Sequence, residues 1–271
     1  MNMIEAVENF VFDCLDFYSG STLMTYEYYI RYFMRYFPEI QDIDNLDHDT
    51  LIQWKLKLPN LQTLHAPDGS KPATVKLALD SLEALYDYLK DEELILINPV
   101  TVIKRPKISL DLPKVVDSYS LHKFKEAVRS HKRNASILST FLDTGLRVGE
   151  LVNLKKCHYD NKLSELFIHS TKSHEDRTGY LTFESMARLD SYLNSRKDDN
   201  PYLFVNQFGK CLSTMGVREM LKTYSILAGL KKEKIILPHD LRKSFATDLY
   251  VRGIKIEEIS VLLVSLCDVI D

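Results

Sequence analysis

The sequence predicts a mainly α-helical protein of two domains, on three observations. Apolar residues recur at helical spacing in both halves of the 271-residue chain. Only 9 Gly and 9 Pro are present, too few for the turns of a many-stranded sandwich. A basic, proline-broken stretch, "INPVTVIKRPKISLDLPKVV", separates the halves, with prolines at 99, 106 and 113. Proline fixes φ and removes an amide donor, so this stretch reads as an extended connector. The boundaries follow: a helical domain over 1–104, a linker over 105–113, and a second, mostly helical domain with a small β-hairpin over 114–271.

In the first domain, Tyr26, Tyr29, Ile30, Phe33 and Phe37 of "STLMTYEYYIRYFMRYF" fall on one helical stripe, with Ser21 or Thr22 placed to cap it. A shorter helix surrounds the single Trp54. "HAPDGSKP" is a loop. Val75, Leu79, Leu82, Tyr86 and Leu89 repeat at helical spacing in the next segment.

The second domain opens with a helix at "SYSLHKFKEAVRS" and another from about Asn134. Leu166 and Ile168, then Tyr180 and Phe183, suit two short strands joined at "TKSHED". Helices return at "SMARLDSYLNS", "STMGVREMLKTYSILAGL", "HDLRKSFATDLYVRG" and "KIEEISVLLV".

Composition excludes several classes. No apolar run approaches the roughly 20 residues that span a bilayer, and the acidic N-terminus lacks the basic start of a signal peptide, so the cytoplasm is expected and no membrane partner. Cys14, Cys157, Cys211 and Cys267 form no CxxC pair and read as small buried hydrophobes. His48, His65, His122, His131, His158, His169 and His174 show no metal spacing; no metal or other cofactor is implied. The net charge of −3 conceals an asymmetry, with −10 over residues 1–100 and +7 over 101–271. The basic half and the strap residues Lys104, Arg105 and Lys107 could face a polyanion.

Three short stretches carry chemistry. In "TGLRVGEL", Arg147 and Glu150 lie one helical turn apart, equally the pattern of a surface ion pair. In "PHDLRKSFATDL", His239 and Arg242 project from one face near a helix start, where a guanidinium fork suits two phosphate oxygens. Lys172, at the hairpin tip, could reach into a groove as a point charge or donate a proton, or stand exposed in a turn.

Taken together and in this order, "TGLRVGEL", "HDLRKSFATDLYVRG" and "EEISVLL" resemble the tyrosine recombinase (phage integrase) family, the Xer-like site-specific recombinases among them. The first half resembles, more loosely, that family's core-binding, SAM-like domain, and coverage runs to about Leu263. The resemblance implies a clamp around double-stranded DNA, and strand breakage and rejoining through a phosphotyrosine intermediate, by a homo-oligomer on DNA or in association with a full-length recombinase. It implies that Arg147 and Arg242 hold the scissile phosphate with His239, that Glu150 orients Arg147, and that Lys172 protonates the leaving 5′-oxygen. The strap and Lys172 would contact DNA. Preorganised guanidinium groups stabilise charge that develops on non-bridging oxygens, in keeping with these roles.

The family's Leu-Leu-Gly-His departs here to "LLVS", with Ser265 at the second histidine position. By that register the nucleophilic tyrosine falls near 274 and is absent from residues 1–271, which implies a C-terminally truncated, inactive chain. Tyr250, on the helix of Arg242, reads as core rather than as a substitute. Two other functions stay open: a DNA-binding protein that competes for recombination sites without cutting, and a type IB topoisomerase relative.

Overall fold

The computed structural model describes residues 1–60, 69–108, 115–169 and 176–263. The chain divides into two compact units, Met1–Asp111 and Leu112–Asp271.

The first unit is built from α1 (Met3–Asp13), α2 (Gly20–Tyr36), α3 (His48–Lys57) and α4 (Pro72–Asp91). The periodic residues Val75, Leu79, Leu82, Tyr86 and Leu89 of α4 are all buried, and α4 packs on α2 and α1. Trp54 is wholly enclosed among Phe33, Phe37 and Tyr36, its ring 5.4 Å from that of Phe33 at 81°. Such edge-to-face contacts add to the area the indole buries. Tyr86 carries its hydroxyl into the core and donates it to the Ile43 carbonyl at 3.0 Å.

One reading of this region is corrected, and one element is added. The cap of α2 is Ser19, whose Oγ accepts from the Thr22 amide at 3.2 Å, because the helix begins at Gly20 rather than beyond Ser21. The N-terminal segment forms α1, with Met3, Ala6, Val7 and Phe10 buried at helical spacing beneath its acidic face.

The second unit contains α5 (Ser118–Val128), α6 (Lys132–Thr144), α7 (Val148–Asn153), a three-stranded antiparallel sheet of β1 (Tyr159–Asp160), β2 (Glu165–Ile168) and β3 (Arg177–Tyr180), then α8 (Phe183–Ser195), α9 (Thr214–Leu227), α10 (Pro238–Val251) and α11 (Ile256–Leu263). Buried Ile137, Leu138 and Phe141 make α6 the centre of the unit, packed against α8 and α10. In the sheet, Ile168 pairs with Arg177 and Leu166 with Gly179. Gly179 has no room for a side chain, since a Cβ there would lie 2.8 Å from Thr144 Cγ2. The strand therefore lies hard against the end of α6.

Other expectations are overturned here. Phe183 opens α8 rather than continuing a strand, because Thr182 caps that helix and donates its amide and hydroxyl to Asp143 at 2.7 and 2.8 Å. Cys157 and Cys211 are exposed, so only Cys14 among the described cysteines is a buried hydrophobe; Cys267 lies outside the described residues. Tyr250 is 63% exposed, because α10 turns its opposite face, with Leu241 and Arg242, into the unit. Among the described residues no helix is long and apolar enough to cross a membrane.

Candidate active site

The site forms where α6 ends. Helix termini leave carbonyls without intrahelical partners, and a buried terminus must find donors for them. Here two arginines supply them. Arg177, the first residue of β3, donates from Nη1 to the Thr144 carbonyl at 3.1 Å. Arg242, in the second turn of α10, donates from Nη1 to the Gly145 carbonyl at 2.6 Å and from Nη2 to the Leu263 carbonyl at 2.7 Å. Cations at the negative end of the helix dipole are also electrostatically favoured.

Gly145 makes this junction possible. It takes φ of +57°, a left-handed conformation that ends the helix, and a Cβ there would come within 2.4 Å of Phe245 and 2.8 Å of Leu263. Two residues on, Arg147 is the N-cap of α7 rather than a residue within a helix. Glu150 folds back in the first turn and accepts the Arg147 amide at 2.9 Å and its Nη1 at 3.0 Å. The Glu150 side chain is only 1% exposed, and its other bond is to Arg177 Nη2 at 3.2 Å. The pairing of Arg147 with Glu150 is thus a buried arrangement and not a surface ion pair.

His239 lies in the first turn of α10, exposed, three residues before Arg242. Asp240 seats that turn by accepting the Leu237 amide at 3.0 Å. The structure therefore brings Arg147, Glu150 and Arg242 to one junction, with His239 on the helix that carries Arg242. Lys172 and Ser265 lie outside the described residues.

Lys104 and Lys107 are exposed. Arg105 is not a free contact for a ligand: it donates to Asp80 at 2.9 Å, to Glu83 at 2.5 Å and to the carbonyls of Val100 and Ile103. The carboxylates of α4 recruit it, which a list of basic residues along the strap does not reveal.

Arg177 does not stand out in the sequence, where it closes a charged turn. One signal was present. It shares the strand phase of Gly179 and faces Ile168 across the pair, so an arginine occupies the inward phase of a strand. Burial pulls its guanidinium below the ordinary value, and Glu150 opposes that pull. Among the described residues no group of three or more His, Cys, Asp or Glu side chains could hold a metal ion.

The sequence profile of the phage integrase family matches residues 115–263, the unit that holds this junction. The chain belongs to the phage integrase family. Among curated members of that family, tyrosine recombinase XerC of Leptospira interrogans is 30% identical over 259 residues, covering 91% of this chain and 79% of the relative. Tyrosine recombinase XerA of Pyrococcus furiosus is 32% identical over 253 residues, covering 90% and 79%. A solved XerA recombinase superposes with a TM-score of 0.54 at 25% identity over 97% of this chain and 90% of that one. A lambda integrase fragment, in a dimer bound to a COC′ core site, shares the fold with a TM-score of 0.79 at 17% identity, covering 100% and 97%.

Proposed function

We propose that this chain acts on double-stranded DNA as a subunit of a site-specific recombinase. Arg147 and Arg242 would grip the scissile phosphate, His239 would add a third contact, and Lys172 would protonate the leaving oxygen. In the reaction a tyrosine oxygen attacks phosphorus, the P–O5′ bond breaks, and the 5′-oxygen takes a proton. The DNA 3′-phosphate stays on the tyrosine until a 5′-hydroxyl reverses the step. By the family register that tyrosine lies after residue 271.

The observation that carries this reading is the Arg242–Gly145 bond of 2.6 Å. It anchors one arginine to the loop that presents the other, so both charges belong to one small region. The start of α10, which carries His239, adds a partial positive charge suited to an anion. Lambda integrase and XerH have been solved on DNA, lambda integrase as a dimer and as a tetramer; assembly of this chain on DNA is proposed by extension.

A nicked suicide duplex tests the reading. Salt-dependent duplex binding that Arg147→Gln and Arg242→Gln both weaken supports it, and so does a covalent protein–DNA adduct that both substitutions abolish. A chain that binds no duplex at low salt refutes it. Binding without cleavage, even beside an intact relative that supplies the tyrosine, favours the second reading: a protein that occupies recombination sites without cutting them. The −10 charge of the first hundred residues makes affinity depend on local basic faces, Lys104 and Lys107 included.

A further inference from the structure

We infer that Arg177 is a positioning residue for Arg147, acting through Glu150; this rests on the phosphate-clamp reading above. The Glu150 carboxylate is shared, with Oε1 on Arg147 at 3.0 Å and Oε2 on Arg177 at 3.2 Å as well as on the Arg147 amide. A buried carboxylate with a single arginine partner would cancel that arginine's charge and compete with an incoming phosphate for its donors. With two guanidinium partners the group carries a net charge of +1, and Arg147 keeps its pull on an anion while Glu150 still sets its direction.

Burial points the same way. The Arg177 side chain is 8% exposed, and its Nε has no hydrogen-bond partner. A buried ion pair contributes little stability for its desolvation, and an unpaired buried donor is a further cost. Stability alone is a poor reason to place an arginine in the inward phase of β3, where Gly179 marks how little space there is. Its remaining bond, to the Thr144 carbonyl, fixes it to the same helix end that receives Arg242.

The test uses inorganic phosphate as the probe, titrated into the isotope-labelled chain at low ionic strength and followed through the arginine Nε–Hε resonances. Arg147→Gln should abolish the saturable response. Arg177→Gln should weaken phosphate binding by about tenfold, since Glu150 then neutralises Arg147 in a poorly screened site. Adding Glu150→Gln to Arg177→Gln should recover most of that loss, because a neutral amide can orient Arg147 without cancelling its charge. A merely structural Arg177 would not give this recovery.

Parent-like phosphate binding by a folded Arg177→Gln chain overturns the inference while leaving the clamp intact. So does a double variant as weak as the single one. If Arg177→Gln does not fold, the double variant, which keeps the trio's net charge of +1 with no buried carboxylate, decides alone: affinity near the parent's supports charge balance, and weak binding refutes it. Parent-like binding by Arg147→Gln removes the clamp reading and this inference together.

Discussion

Arg242 donates to the carbonyl of Gly145 across 97 residues of sequence, at 2.6 Å, and so holds α10 against the turn that presents Arg147. The same guanidinium holds the Leu263 carbonyl at the end of α11 at 2.7 Å. An arginine proposed to bind a phosphate thus also ties three segments together, and losing it should have two effects.

Arg242→Ala should lower the stability of the second unit as well as its affinity for DNA. Removing the donor leaves two buried carbonyls unpaired, at roughly 2–6 kcal/mol together. Thermal unfolding followed by circular dichroism should show the midpoint drop, and limited proteolysis should show faster cutting near α11. An unchanged midpoint would show that the two carbonyls find other donors.

Gly145→Ala should disturb the site without touching a charge. The new methyl group meets Phe245 at 2.4 Å in a backbone with φ of +57°. The strain is about 1–2 kcal/mol before any clash is relieved. Duplex binding should fall along with stability, because Arg147 begins two residues later. A variant with the parent's unfolding midpoint would contradict the close approach.

In the first unit, Leu82→Ala should cost roughly 2–5 kcal/mol, because Leu82 is wholly buried on the face of α4 that packs within that unit. Denaturant titration reads the loss directly. A cost below that of a surface substitution would place Leu82 outside the core.

The strap should respond unevenly. Lys104→Gln and Lys107→Gln should each flatten the plot of log affinity against log salt by about 0.9 if each meets a phosphate. Arg105→Gln should leave that slope alone and lower stability, because its guanidinium already serves Asp80 and Glu83 at 2.9 and 2.5 Å. A slope that changes with Arg105 and not with the lysines would reverse the assignment.

Mild acid should destabilise the second unit. Burial, then the neighbouring Arg133, holds the His131 imidazole below its ordinary value; burial, then His169 and Lys155, does the same for His158. Both rings accept amide hydrogens as neutral bases: His131 from Asn134 at 3.4 Å and His158 from Lys155 at 3.3 Å. The folded state thus binds fewer protons than the unfolded one. Stability is complete well above the unfolded value of about 6.5, and declines as pH falls through it toward the lower folded values. The unfolding midpoint should drop between about pH 7.5 and pH 5.5. His131→Ser, which keeps a cap without a titrating ring, should remove part of that dependence.

Most of the helices were legible because each follows from local spacing, although α1 was not read and Tyr250 was placed on the wrong face of α10. Val75, Leu79, Leu82, Tyr86 and Leu89 name the core of α4 in advance, and Phe124 and Phe141 lie buried within segments read as helical. The nearness of Arg147, Glu150 and Arg242 was legible only in part: the sequence puts Arg147 and Glu150 one turn apart, and the fold brings Arg242 to the same junction. Misplaced details turn on neighbours that spacing cannot supply: Asp143 draws Thr182 into a cap and sends Phe183 into α8, and Asp80 and Glu83 take up Arg105.

Sequence by itself determined most of the segments that coil and many of the residues they bury, because helix periodicity acts over a few residues. Tertiary structure decided where the site's arginines spend their donors. The C-terminal carbonyls of α6 and the buried Glu150 carboxylate had to be paired, and the groups that pair them come from β3, α7 and α10, up to 97 positions away. A demand for partners inside a low-dielectric interior is set by packing, and packing joins residues that local spacing keeps apart.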